Sequence, residues 1–127
     1  MRILGFSKKW PKLELNKPIE ERLDFSTFRF QRKDKDYQVG ENLQAVYKPR
    51  SKNREKMGIV EVLSKEPRWV VNMILGNEGI PTVNSEEAQA DGFKNAGDME
   101  IYMGDYYGEK RIWEEPMNKL TLKWLES

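Results

Sequence analysis

The chain contains no cysteine and no histidine. Disulfides, thiolate nucleophiles, iron–sulfur ligation, thiolate or imidazole metal sites and His-based triads are therefore excluded. Any catalysis falls to Lys, carboxylate, hydroxyl or Tyr groups. The nine glycines are scattered, and none forms the GxGxxG or GxxxxGKS/T spacing that cradles phosphate. No repeat, low-complexity tract or Pro/Gly-rich linker divides the chain, so residues 1–127 are read as one domain. No apolar run approaches membrane-spanning length, and Met1 to Phe6 is followed at once by Lys8, Lys9 and Trp10, unlike a secretory signal. A soluble, cytoplasmic protein without a membrane partner is expected.

Charged residues make up 34% of the chain, yet four Trp, five Tyr and five Phe supply enough large side chains for a core. The formal charge of +1 hides a division. Residues 1–68 hold 17 Lys and Arg against 10 Asp and Glu, and residues 69–127 hold 5 against 11. The halves thus carry +7 and −6, which suggests a basic face suited to phosphate.

Alternation predicts the strands. Arg2 to Phe6 is a short apolar run, and Pro11 and Pro18 then break the chain around a short helical piece. Phe25 to Phe30 puts Phe25, Thr27 and Arg29 on one face and Ser26, Phe28 and Phe30 on the other. The turn Val39-Gly40-Glu41 leads to a strand over Asn42–Lys48, and a basic connection, Pro49 to Lys56, returns into Met57–Ser64. Arg68–Leu75 reads as a further strand, and Lys119–Leu125 as the last, with Leu120, Leu122 and Trp124 on one face. Two helices are predicted in the acidic part. One starts at Asn84 or Ser85 and stops at Gly92; the other runs from Asp98 to Tyr107 with a Met99, Tyr102, Met103, Tyr106 packing stripe and a left-handed stop at Gly108. Glu114 and Glu115 are assigned to a loop. The fold class is α+β: a small, mostly antiparallel β-barrel with two or three short helices beside it.

Carboxylates are numerous but none is spaced as a cation loop, so no metal and no cofactor is expected. The chemistry-bearing pattern is cations interleaved with aromatics: Lys8-Lys9-Trp10, Phe28-Arg29-Phe30 with Arg32 and Lys33, Tyr47-Lys48-Pro49-Arg50, and Arg68-Trp69. These are the ingredients of single-stranded nucleic-acid binding. Arg29, opposite two phenylalanines, either meets solvent or lines a cleft.

The order of Gly5-Phe6-Ser7-Lys8-Lys9-Trp10, Ser26-Thr27-Phe28-Arg29, Val39-Gly40-Glu41, the helix Ser85 to Phe93 and the closing strand Pro116 to Leu122 resembles the ASCH domain family of PUA-like β-barrels. The resemblance covers nearly the whole chain. It implies a cleft between barrel and helices, a role in binding RNA, and a place for Thr27 and Arg29 at the cleft border, with Lys9 and Trp10 at the family's Lys and Trp positions. Some ASCH-like proteins hydrolyse acylated nucleosides with a Lys three positions before that Thr and a Glu in the first helix. Here those positions are Asp24 and Asp91, and Lys8 or Lys9 would have to replace the missing amine.

Three readings follow. The leading one is a monomeric module for RNA or a nucleotide, with phosphates on Lys48, Arg50, Lys52 and Arg54, a base or nucleotide against Trp10 and Arg29, and Lys8, Lys9, Thr27, Arg32, Arg68 and Trp69 contributing. The second is a hydrolase of a modified nucleoside or of RNA, with Asp91 as acid/base, Lys9 as its partner and Thr27 and Arg29 stabilising an anionic transition state. The third is a protein-interaction or small-ligand domain whose acidic half meets the partner.

Overall fold

Among the described residues, period-two alternation builds five strands, and three helices lie in the second half of the chain, the first two with side-chain N-caps. The computed structural model describes residues 1–71 and 79–126. The strands are β1 (Arg2–Phe6), β2 (Phe25–Phe30), β3 (Asn42–Tyr47), β4 (Glu55–Arg68) and β5 (Met117–Glu126); the helices are α1 (Ser85–Ala90), α2 (Ala96–Tyr107) and α3 (Glu109–Glu114). Single 3-10 turns cover Pro11–Leu13 and Ile19–Glu21. The strands form one sheet in the order β1-β3-β4-β5-β2. Its β1–β3 pairing is parallel and the other three are antiparallel. The molecule is thus a small α+β protein with a curled, mixed half-barrel sheet. Among the described residues strand pairing does not close the expected barrel: β1 and β2 are the two edges.

β4 is the spine. It runs from Glu55 to Arg68, well beyond the expected Met57–Ser64, and pairs with β3 on one side and β5 on the other. Register shifts near Val46, Val60 and Ser64 mark the irregularities at which the sheet bends. The expected separate strand over Arg68–Leu75 is absent as far as it can be followed: β4 ends at Arg68, Trp69 makes one bridge to Thr82, and residues 72–78 lie outside the described residues.

Apolar side chains divide into two clusters. Leu4, Phe6, Leu13, Phe25, Leu43, Val60, Leu122 and Trp124 fill the hollow of the sheet. Phe28, Phe30, Val83, Ala88, Met99, Met103, Ile112 and Met117 join the sheet to the helices. β2 serves both, because its alternation sends Phe25 to the first cluster and Phe28 and Phe30 to the second. α1 begins with a capping box: the Glu87 amide donates to the Asn84 side chain at 2.8 Å, and the Asn84 amide donates to Glu87 at 3.3 Å. Glu87 also accepts from Lys119 at 2.8 Å and Arg68 at 3.1 Å, fastening α1 to β4 and β5. Burial opposes its ionisation, but the Lys119 and Asn84 hydrogen bonds and the two cations outweigh this and lower its pKa.

Gly108 ends α2 without entering the left-handed helical well (φ 98°, ψ 133°), and the next residue starts α3. Glu114 is therefore helical, not in a loop. No described helix is long and apolar enough to cross a membrane.

Candidate functional site

The curl of the sheet brings the edges β1 and β2 towards each other, and Arg29 spans the seam. Its guanidinium donates to the Gly5 carbonyl at 2.8 Å and lies 4.9 Å from the centre of the Phe6 ring. Beneath it is a cavity of about 50 Å³ walled by β1, β2 and α2, lined by Trp10, Lys12, Thr27, Arg29, Asp91, Phe93, Tyr106 and Tyr107 among others. Such a volume holds a water or a small polar group, not a whole ligand.

Charge at its base is specific. The Lys12 ammonium donates to Asp91 Oδ1 and, at 2.7 Å, to the Ser26 carbonyl. Both side chains are nearly inaccessible, 9% and 5% exposed. Burial pushes the Asp91 carboxyl up and the Lys12 ammonium down from their ordinary values, and the attraction within the pair opposes both shifts. The nearby Arg29 charge lowers Lys12 further and favours the Asp91 carboxylate. Because Asp91 balances Lys12, Arg29 supplies the uncompensated charge. Among the described residues no carboxylate lies within ion-pair distance of it.

A wider groove of about 370 Å³ adjoins the cavity and shares Gly5, Phe6, Ser7 and Tyr106 with it. Lys48, Pro49, Arg50 and Ser51 of the β3–β4 loop form its other wall. The loop is pinned there by the Lys48 amide, which donates to the Phe6 carbonyl at 2.8 Å. Gly5 permits the approach: a Cβ on it would stand 2.9 Å from Pro49 Cγ. The groove has the size of an ordinary ligand site.

The expected site residues separate into two groups. Trp10, Thr27, Arg29 and Asp91 meet in the cavity, and Lys48 and Arg50 border the groove. Trp10 is wedged against Phe93 at 5.5 Å and Tyr102 at 5.7 Å, with Lys8 over its ring at 4.3 Å. Lys52 and Arg54 stay exposed further along the loop.

The remaining residues are engaged elsewhere. Lys9 is not the partner of Asp91: it pairs with Glu55 at 2.6 Å and sits over Tyr47. The amine that pairs with Asp91 is Lys12, not Lys8 or Lys9. Arg32 faces Asp34 and Tyr37. Arg68 is clamped by Glu66 and Glu87, and Trp69 is buried with its backbone bonded to Pro81 and Val83. These three line neither the cavity nor the groove.

Sequence reasoning missed Lys12, Tyr106 and Tyr107. Lys12 had one available signal, Pro11, which starts the 3-10 turn that aims the amine inward. Tyr106 was absorbed into the packing stripe of α2. In fact Met99 and Met103 are buried, and Tyr106, the penultimate residue of α2, is exposed at the helix end.

Comparison with known proteins gives no match to a family model, a curated protein or a solved structure. The site must therefore be read from its own chemistry. Among the described residues no three acidic side chains converge on a point that would hold a metal ion.

Proposed function

We propose that the protein binds RNA or a nucleotide in the seam cleft, in the manner that its resemblance to the ASCH domains of the PUA-like barrels implies. The observation that carries this reading is Arg29, a half-buried guanidinium that lines the cavity without a carboxylate partner among the described residues, the cavity adjoining a groove bordered by Lys48 and Arg50. The Arg29 donors are taken up in part by the Gly5 carbonyl at 2.8 Å and the Phe28 carbonyl at 3.5 Å, and a guanidinium with five donors has room for a further acceptor, a carbonyl edge or an anionic oxygen. The groove accommodates the body of the ligand, and only a small polar group reaches the cavity. Loop cations hold phosphate, and the surrounding rings offer surfaces for a base.

The test is a titration with fluorescent single-stranded RNA, duplex RNA and matching DNA at two salt concentrations. Binding of intact RNA should weaken as salt rises, because each neutralised phosphate releases counterions. Arg29→Ala should weaken it further. Salt-independent binding, or binding indifferent to Arg29→Ala, would falsify the assignment of this cleft.

A second reading, hydrolysis of a modified nucleoside, is favoured by one observation: the buried Lys12–Asp91 pair shares the cavity with Thr27. Asp91, its carboxyl pushed up by burial, would serve as acid/base, and Thr27 and Arg29 would stabilise the anionic transition state. Turnover of acylated cytidine by the wild type, lost in Thr27→Val and in Asp91→Asn, would establish it. Intact substrate after prolonged incubation would dismiss it.

A further inference from the structure

Among the described residues, Tyr106 is the one besides the β1 end that belongs to both the cavity and the groove. It is an aromatic side chain left 57% exposed at the junction of two concave surfaces. Its ring is also held. Tyr102 stacks against it at 6.0 Å with an interplanar angle of 11°, and Tyr107 meets it edge-on at 4.7 Å. Tyr102 in turn packs on Trp10 and Phe93, and Tyr107 on Phe30. A ring fixed from behind loses little entropy when a second flat group joins it. Ordinary core packing does not explain the exposure, since the ring's own neighbours are already in contact.

We infer that Tyr106 is a stacking platform for one unpaired nucleobase, which makes the site selective for single-stranded RNA over duplex. This rests on the reading of the cleft as a nucleic-acid site. The geometry orders the ligand. Tyr106 shares the cavity with Arg29 and the groove with Lys48 and Arg50, so a base stacked on it has Arg29 to one side and the loop cations to the other. The cavity, at about 50 Å³, admits an exocyclic group of that edge but not the ring. A base within a duplex has both faces covered by its neighbours, so it cannot take this position without unstacking.

The experiment compares three probes of equal length at one salt concentration: a single-stranded 12-nucleotide RNA, the same strand annealed to its complement, and an abasic oligomer with the same phosphates. Wild type should bind the single strand most tightly. Tyr106→Ala should weaken that binding about tenfold, the usual scale for loss of one stacked base. Tyr106→Phe should restore it, and neither change should affect the abasic oligomer. Since the side chain is exposed, both variants should keep the wild-type unfolding midpoint.

Tight binding of the single strand that Tyr106→Ala leaves unchanged would overturn the platform and leave the cleft assignment standing. Equal loss for the base-containing and abasic probes would overturn it too, because the ring would then act on the backbone or the fold. Binding by none of the probes would overturn the platform and, with it, the cleft as an RNA site.

Discussion

A lysine and an aspartate that touch across 79 positions of sequence set the character of the cavity. Removing both ions from water is expensive, and their attraction offsets it only while both are present. Asp91→Asn should therefore destabilise the protein by about 3 kcal/mol, the usual scale for stranding one buried charge. The double variant Lys12→Met with Asp91→Leu should recover most of that loss, since apolar pairs of similar volume replace buried ion pairs at little cost. Urea unfolding of the three proteins checks this, and a silent Asp91→Asn would mean that Lys12 has another counter-charge. At this scale the sequence was legible wherever alternation fixed a face. Thr27 and Arg29 were assigned correctly to one side of β2 because period two leaves no choice. Lys12 was not, because no local pattern couples a 3-10 turn near the N-terminus to the end of α1.

Elements were more legible than their ends. β1 and β2 have the boundaries that apolar alternation gives, and α1 begins where Asn84 and Glu87 form their reciprocal cap. β4 escaped, since its polar second half, Ser64 to Arg68, owes its extension to pairing with β5 rather than to its own composition. Its first half contains the irregularity that bends the sheet. Ala45 pairs with Gly58 and Val46 with Lys56, leaving Met57 as the extra residue. Gly58 then takes a φ of +142°, and a Cβ there would stand 2.9 Å from the Trp124 ring and 3.0 Å from the Glu126 carbonyl oxygen. Neither the ring nor the backbone can withdraw cheaply. Gly58→Ala should accordingly destabilise the fold by about 2 kcal/mol, read as a lowered urea midpoint. A midpoint equal to wild type would show that the bend does not depend on this close approach.

The division of charge along the chain becomes, in the whole molecule, a division between cations consumed by the fold and cations left over. Arg2, Lys12, Lys65, Arg68 and Lys119 are tied to carboxylates that fasten one element to another. Lys48, Arg50, Lys52 and Arg54 are among the cations with no carboxylate within ion-pair distance among the described residues, and these four lie on the single loop that borders the groove. Basic composition alone could not separate these sets, because pairing is decided by tertiary structure. The separation has a measurable form. For single strands the slope of log affinity against log salt changes by about 0.7 for each phosphate that a side chain neutralises. Lys48→Gln with Arg50→Gln should thus flatten the slope by about 1.4. Arg32→Gln with Lys33→Gln removes the same charge from a turn that lines neither cavity nor groove, and should leave the slope unchanged. Equal flattening by both pairs would mean that the protein attracts nucleic acid through its overall field and not through this loop.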